Sequence, residues 1–216
     1  KTVVIYDKTK TAFGSDLLRS QIHRAYEIIN TTYVGQFMKN FRESNLSYEI
    51  KNLSDAIESS NTRTLLRIDQ TVSNGKLEFN GWSYGNKLYH PEDGFLAETG
   101  GIFYSNDFTR LGGAISSGFD DDGNGNIRLY NTVDNSKVYV NEQAGTINYE
   151  TGEVEILTQF EPDDGQIITF TAIPDSVDIA AERNTVLEIA TDESLVEMIE
   201  KNQTDLIKTL NLTRTF

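Results

Sequence analysis

Cysteine is absent from this 216-residue chain. That excludes disulfide staples, thiolate metal sites and cysteine nucleophiles, but does not choose between a reducing and an oxidising compartment. No run approaches the roughly 18 consecutive apolar residues that a membrane-spanning helix needs, and no signal-peptide core opens the chain. A soluble protein with no membrane partner is therefore expected. Basic residues are few: 19 Lys and Arg stand against 33 Asp and Glu, a formal net charge of −14. This balance opposes approach to phosphate backbones, so nucleic acid is not an expected partner. Internal repetition is missing too, which disfavours a solenoid or propeller.

The elements that are present follow an order. Val3-Val4-Ile5-Tyr6 reads as a strand. The chain starts inside it at Lys1, without an initiator methionine, and a fragment of a longer protein is expected. After the break Phe13-Gly14-Ser15, Leu18, Ile22, Ala25 and Ile29 recur at spacings of four and three, as on an amphipathic helix. A second helix is expected with Val34, Phe37, Met38 and Phe41 on one face, and a third with Leu46, Ile50, Leu53 and Ile57 on one face.

From Thr62–Val72 onward the pattern changes to short apolar or aromatic runs separated by Asn, Gly and Asp clusters, which argues for hairpins. Runs at Gly145–Asn148, Glu153–Gln159 and Gln166–Pro174 flank the turns Tyr149-Glu150-Thr151-Gly152 and Pro162-Asp163-Asp164-Gly165 and read as an antiparallel meander. Asn184–Ala190 reads as one more strand. Thr191-Asp192-Glu193-Ser194 then starts a final helix with Leu195, Met198, Ile199, Leu206, Ile207 and Leu210 on its apolar side.

The expected fold class is α+β: N-terminal short helices, a central antiparallel β-meander region and a C-terminal helix. Its divisions are residues 1–61 for the strand and helical layer, 62–190 for the β-rich region, and 191–216 for the helix and tail.

Candidate chemistry is sparse. In Asp120-Asp121-Asp122-Gly123-Asn124-Gly125-Asn126-Ile127, oxygen-bearing side chains at Asp120, Asp122 and Asn124 are spaced as in half of a calcium loop. Asn131 stands where a closing glutamate belongs, and a tight acidic hairpin turn explains the same letters without a metal. No metal or other cofactor is expected. His23 and His90 are the only histidines, and neither has a second histidine near it for a metal site. Gly112–Gly118 fits neither a nucleophile elbow nor a phosphate loop and reads as a flexible connection. A glycosidase-like pair among Glu150, Glu153, Glu155 and Asp163 needs convergence in space, and on strands such side chains form a solvated face. The residues point to an interaction module and not to an enzyme.

A series of landmarks carries a resemblance. Phe37-Met38-Lys39-Asn40-Phe41-Arg42-Glu43-Ser44-Asn45-Leu46 is followed by Asp55-Ala56-Ile57-Glu58-Ser59-Ser60 and Leu65-Leu66-Arg67. Ile102–Phe108, Asp121–Asn126, Gly145–Gly152, Asp178-Ile179 and Arg183–Leu187 continue it. In that order they resemble the C-terminal part of the large baseplate wedge subunit of T-even-like contractile-tailed phages and their marine relatives. The resemblance covers most of the chain after about Tyr33.

It implies a structural virion protein that is not an enzyme, located in the tail baseplate and assembled in the host bacterial cytoplasm. It also implies a homodimer within a larger ring around the tail hub, with other baseplate wedge and hub proteins as partners. In an obligate oligomer an apolar helix face can be interface instead of core. Leu195, Ile199, Leu206 and Leu210 are the first interface candidates, and Leu46, Ile50, Leu53 and Ile57 the second. The rival reading is a calcium-stabilised β-rich module binding carbohydrate or protein, built on Asp120, Asp122 and Asn124 with Trp82 and Tyr84 as exposed aromatics.

Overall fold

A computed structural model describes residues 1–12, 14–90, 101–181, 186–191 and 194–201. In chain order its first strands are β1 (Thr2–Tyr6), β2 (Ile57–Thr62), β3 (Leu66–Ser73), β4 (Lys76–Leu77), β5 (Gly81–Ser83) and β6 (Phe103–Ser105). They are followed by β7 (Phe108–Arg110), β8 (Ile115–Asp121), β9 (Asn126–Val133), β10 (Ser136–Asn148), β11 (Glu153–Ile156), β12 (Ile167–Ala172) and β13 (Val196–Glu200). The α-helices among the described residues are α1 (Ser15–Ile29) and α2 (Glu43–Lys51). Strands take 42% of the chain, so the fold is β-rich and the expected α+β layout with a C-terminal helix is overturned.

The chain divides into two compact units, one made of Lys1–Thr64 with the described residues from Val177 onward, the other of Leu65–Ser176. In the first unit, β1 lies between β13, its parallel neighbour, and β2, its antiparallel neighbour. α1 forms where the four-and-three spacing predicts a helix, and Leu18, Ile22, Ala25 and Ile29 are its buried side. It runs on into a π-helical turn over Asn30–Val34.

The expected second helix is not there. A β-carbon at Gly35 would collide with the Asn30 carbonyl, and Met38 takes a left-handed φ of 61°, so the backbone turns away from helix. Val34 and Phe41 are buried whereas Phe37 and Met38 are exposed, so the four do not share a face. α2 is shorter than the expected third helix. Its first N–H, at Glu43, donates to the Asp178 carboxylate at 2.9 Å, and Ile57 lies beyond it in β2.

The expected final helix is replaced over Val196–Glu200 by β13, which pairs Val4 with Met198 and Ile5 with Ile199. β1 needs a backbone partner on that edge, and ion pairs Lys1–Glu197 (2.6 Å) and Lys8–Glu200 (3.0 Å) run alongside it. Leu206, Ile207 and Leu210 lie outside the described residues. Residues 186–190 form no strand. At Ile189 the Asn30 amide takes a strand partner's place, accepting from its N–H at 2.7 Å and donating to its carbonyl at 2.9 Å.

The second unit is one antiparallel sheet in the order β4-β3-β12-β6-β8-β9-β10-β11-β5, with β7 beside β8. It curls into a half-barrel. β4 and β5 stand at opposite ends of this order, yet Glu78, Phe79 and Asn80 alone separate them in sequence. The four Cα–Cα steps from Leu77 to Gly81 reach at most about 14 Å, so the two ends of the sheet are brought close together. Hydrogen bonds fasten the closure: Phe79 N–H donates to Gln70 Oε1 at 3.1 Å, and Ile156 N–H donates to the Asn80 carbonyl at 2.7 Å.

Inside lie Phe103, Phe119 and Phe170, all fully buried. Phe119 meets Phe160 edge-on at 4.9 Å between centroids, and Trp82 on β5 lies 4.7 Å from Phe170 on β12. Trp82 is thus half-buried against Phe170 and Tyr84 is buried, which corrects the expectation that both aromatics are exposed.

The expected meander holds in part. β10 and β11 pair across the Tyr149–Gly152 turn, but β12 pairs with β3 and β6. The second edge of β11 is taken by β5. β12 turns Ile168, Phe170 and Ala172 into the core, a position that pairing beside β3 and β6 provides.

Candidate functional site

The region around Asp120–Asn126 concentrates the polar chemistry of the second unit. In β8 successive side chains alternate between faces. Phe119 enters the core, and Asp120 points to the other face opposite Arg128 of β9. Asp120 is 0% exposed although it lies on that face, because longer side chains cover it. Arg128 Nε and Lys137 Nζ donate to it at 2.9 and 2.8 Å, and Tyr139 Oη donates at 3.0 Å.

The cations also sit over rings, Arg128 4.1 Å from the Tyr139 centroid and Lys137 4.4 Å from that of Tyr130. Tyr130 lies across Gly118, where a β-carbon would strike its hydroxyl, so glycine makes room for the ring. Burial, together with the nearby Asp120 charge, pushes the Tyr139 phenol up to about 12. Tyr139 is therefore a neutral donor at neutral pH. One carboxylate, two cations and two rings join β8, β9 and β10.

Asp121 is buried on the core side. It accepts from Phe103 N–H at 2.9 Å and from Tyr149 Oη at 2.6 Å, tying β6 and the β10–β11 turn to β8. Burial raises its carboxyl above the usual range, partly offset by those donors. A carboxyl raised on folding makes the folded state the tighter proton binder. Its effect on stability therefore becomes less favourable as pH rises from the unfolded value of about 3.9 through the folded one. The expected outcome is that Asp121→Asn removes this descending contribution from a stability–pH curve measured by denaturant melts above pH 4.

Asp122 closes the turn. Its carboxylate accepts from Asn124 N–H at 2.7 Å, from Asn126 N–H at 3.0 Å and from Asn126 Nδ2 at 2.7 Å. The donors of the expected half calcium loop are thus placed in different roles: Asp120 in an ion cluster, Asp122 in an Asx turn, and Asn124 with its amide on the Asp122 carbonyl at 3.3 Å. Among the described residues no group of three or more His, Asp or Glu side chains is placed to hold a metal. Excess calcium is expected to leave the melting temperature unchanged, as differential scanning fluorimetry with and without chelator would show.

The other polar candidates are dispersed. Glu150 pairs with Lys87 at 3.0 Å, Glu153 accepts from Thr151 Oγ1 at 3.0 Å, and Asp163 accepts from the N–H groups of Gly112 and Gly113, both at 2.7 Å. Glu153 and Glu155 lie on the exposed side of β11, as the solvated-face reading expects. The Asp163 bonds also clamp the β7–β8 turn that reads in sequence as a flexible connection.

His90 lies at one side of an open groove of about 430 Å³ with Asn124, Asn148, Tyr149 and Glu150. Its ring is 4.5 Å from that of Tyr149, and Nε2 is 2.8 Å from the Gly123 carbonyl. Residues 91–100, which follow His90, lie outside the described residues. In the first unit, His23 contacts the Thr191 carbonyl at 3.2 Å and packs edge-on against Tyr26.

The interface candidates fall into three groups. Leu46, Ile50, Ile57 and Ile199 are buried within the first unit, and Leu53 is half-buried. Leu195 is 68% exposed. Leu206 and Leu210 lie outside the described residues. In sequence, Arg128, Lys137 and Tyr139 read only as strand residues and Tyr149 only as the start of a turn. Their signal was alternation: Arg128 and Tyr130, like Lys137 and Tyr139, occupy every second position. Among the described residues no helix is long and apolar enough to cross a membrane. Neither protein-family models nor curated proteins match this chain.

Proposed function

We propose that this chain is a non-enzymatic structural component of a contractile-tailed phage particle. It is a baseplate wedge module that pairs with a second copy and helps build the ring around the tail hub, in contact with other wedge and hub proteins. The ordered series of landmarks from Phe37 to Leu187 carries this reading.

The disposition of polar groups supports it. Asp120, Asp121, Asp122 and Asp163 are all engaged by donors of the same chain and lock strands or turns together. Such a frame fixes surfaces relative to one another, which is the task of an assembly protein. Those engagements also leave the calcium-stabilised reading without a supporting observation.

Mass spectrometry of purified contractile-tailed particles from a phage encoding this chain tests the proposal. Peptides of the chain are expected in the tail and baseplate fraction in fixed ratio to other tail proteins. Particles complete in their other tail proteins but lacking it would overturn the reading.

A further inference from the structure

In the first unit, residues 35–40 are all exposed, and the loop they form presents two large apolar side chains, Phe37 at 68% and Met38 at 72% exposure. The loop is tied at both ends. Gly35 N–H donates to the Asn30 carbonyl at 2.6 Å, and Gln36 N–H to that of Val34 at 2.6 Å. Beyond the tip, Phe41 and Ile179 exchange both backbone hydrogen bonds at 2.9 Å, and Asn40 Oδ1 accepts from Ala181 N–H at 3.0 Å.

Met38 stands at a φ of 61°, a region that residues with a β-carbon populate sparingly. An anchored loop that holds a strained residue and puts two apolar side chains in water has the features of a contact site.

The charge around the tip narrows the occupant. No acidic residue occurs from Ile28 to Arg42, while Lys39 and Arg42 are exposed. Glu43 and Asp178 stand at the base of the loop, where Glu43 N–H donates to the Asp178 carboxylate. The tip is therefore a cationic and apolar patch on a chain whose net charge is −14. A complementary surface is apolar with an acidic rim, and this chain is rich in acid. A bilayer fits less well, because an interfacial anchor needs a long apolar face and here Gln36, Lys39 and Asn40 flank just two apolar residues.

We infer that the Phe37–Met38 loop is a self-association knob that docks on a second copy of this chain. The inference rests on the self-pairing reading above and adds to it the segment that makes the contact.

The test is light scattering over a concentration series on the wild type and on a Phe37→Ser, Met38→Gly double variant. Glycine suits the left-handed φ, so the double variant keeps its fold and its melting temperature is expected to be equal or higher. Its dimer dissociation constant is expected to rise at least about 30-fold, the loss typical of a central apolar anchor. An unchanged constant in the double variant overturns the knob and leaves self-pairing standing. A wild type that stays monomeric at every concentration overturns both. Co-sedimentation of the wild type, but not of the variant, with anionic phospholipid vesicles overturns the second copy as the occupant.

Discussion

Replacing Asp120 by alanine is expected to destabilise the second unit by about 3–5 kcal/mol, the cost of removing one partner from a buried ion cluster. Asp120 is fully buried and Arg128 nearly so, and the guanidinium also donates to the Asp121 carbonyl at 2.9 Å. Without the carboxylate, a buried cation loses its counter-ion and the Tyr139 hydroxyl its acceptor. Lys137 is about one-third exposed and can turn to water, so Lys137→Ala is expected to cost far less, about 1 kcal/mol or below. Urea unfolding of both variants would check the asymmetry, and equal costs would show that the cluster does not depend on burial. A loss of 3–5 kcal/mol is large against the roughly 5–15 kcal/mol of a whole domain.

Phe119→Ala is expected to cost a similar 3–5 kcal/mol for a different reason. The ring packs against Phe108 at 5.5 Å, Phe160 at 4.9 Å and Phe170 at 5.9 Å between centroids. Its removal leaves a cavity between strands whose backbones are held by the curled sheet and cannot collapse freely. Phe119→Leu keeps most of the volume and should cost less than half as much. Thermal melts of the two variants separate cavity formation from loss of aromatic contact.

The elements that read correctly from sequence are the locally determined ones. α1 follows from Leu18, Ile22, Ala25 and Ile29, whose spacing has no strand equivalent. Ile127–Tyr130 and Lys137–Val140 read as strands, but the tight hairpin does not: β9 and β10 run closer together and close on Asp134 and Asn135, both at positive φ, the geometry of two-residue turns.

β13 was not legible. Leu195, Met198 and Ile199 fit a helical period as well as a short strand, and the partner that decides lies almost two hundred residues away at Thr2–Tyr6. β12 was missed as a partner of β3 for the same reason, since Thr171 pairs with Arg67 across about a hundred residues. The acidic run Asp120–Asp122 looks like half a metal loop in one dimension. Its cations come from β9 and β10, so only the sheet register shows that Asp120 faces Arg128 and that Asp121 faces the core. Of the stripe Leu46, Ile50, Leu53 and Ile57, the second interface candidate, Leu46, Ile50 and Ile57 are buried in the first unit and Leu53 is half-buried. The Phe37–Met38 pair, expected on a helix face, instead stands exposed at a loop tip.

Self-pairing is measured most directly by sedimentation equilibrium of the wild-type chain over a wide concentration range at physiological salt. The weight-average mass should rise from the 24.3 kDa of one chain toward twice that value as concentration increases. A mass fixed at 24.3 kDa at every concentration would contradict it.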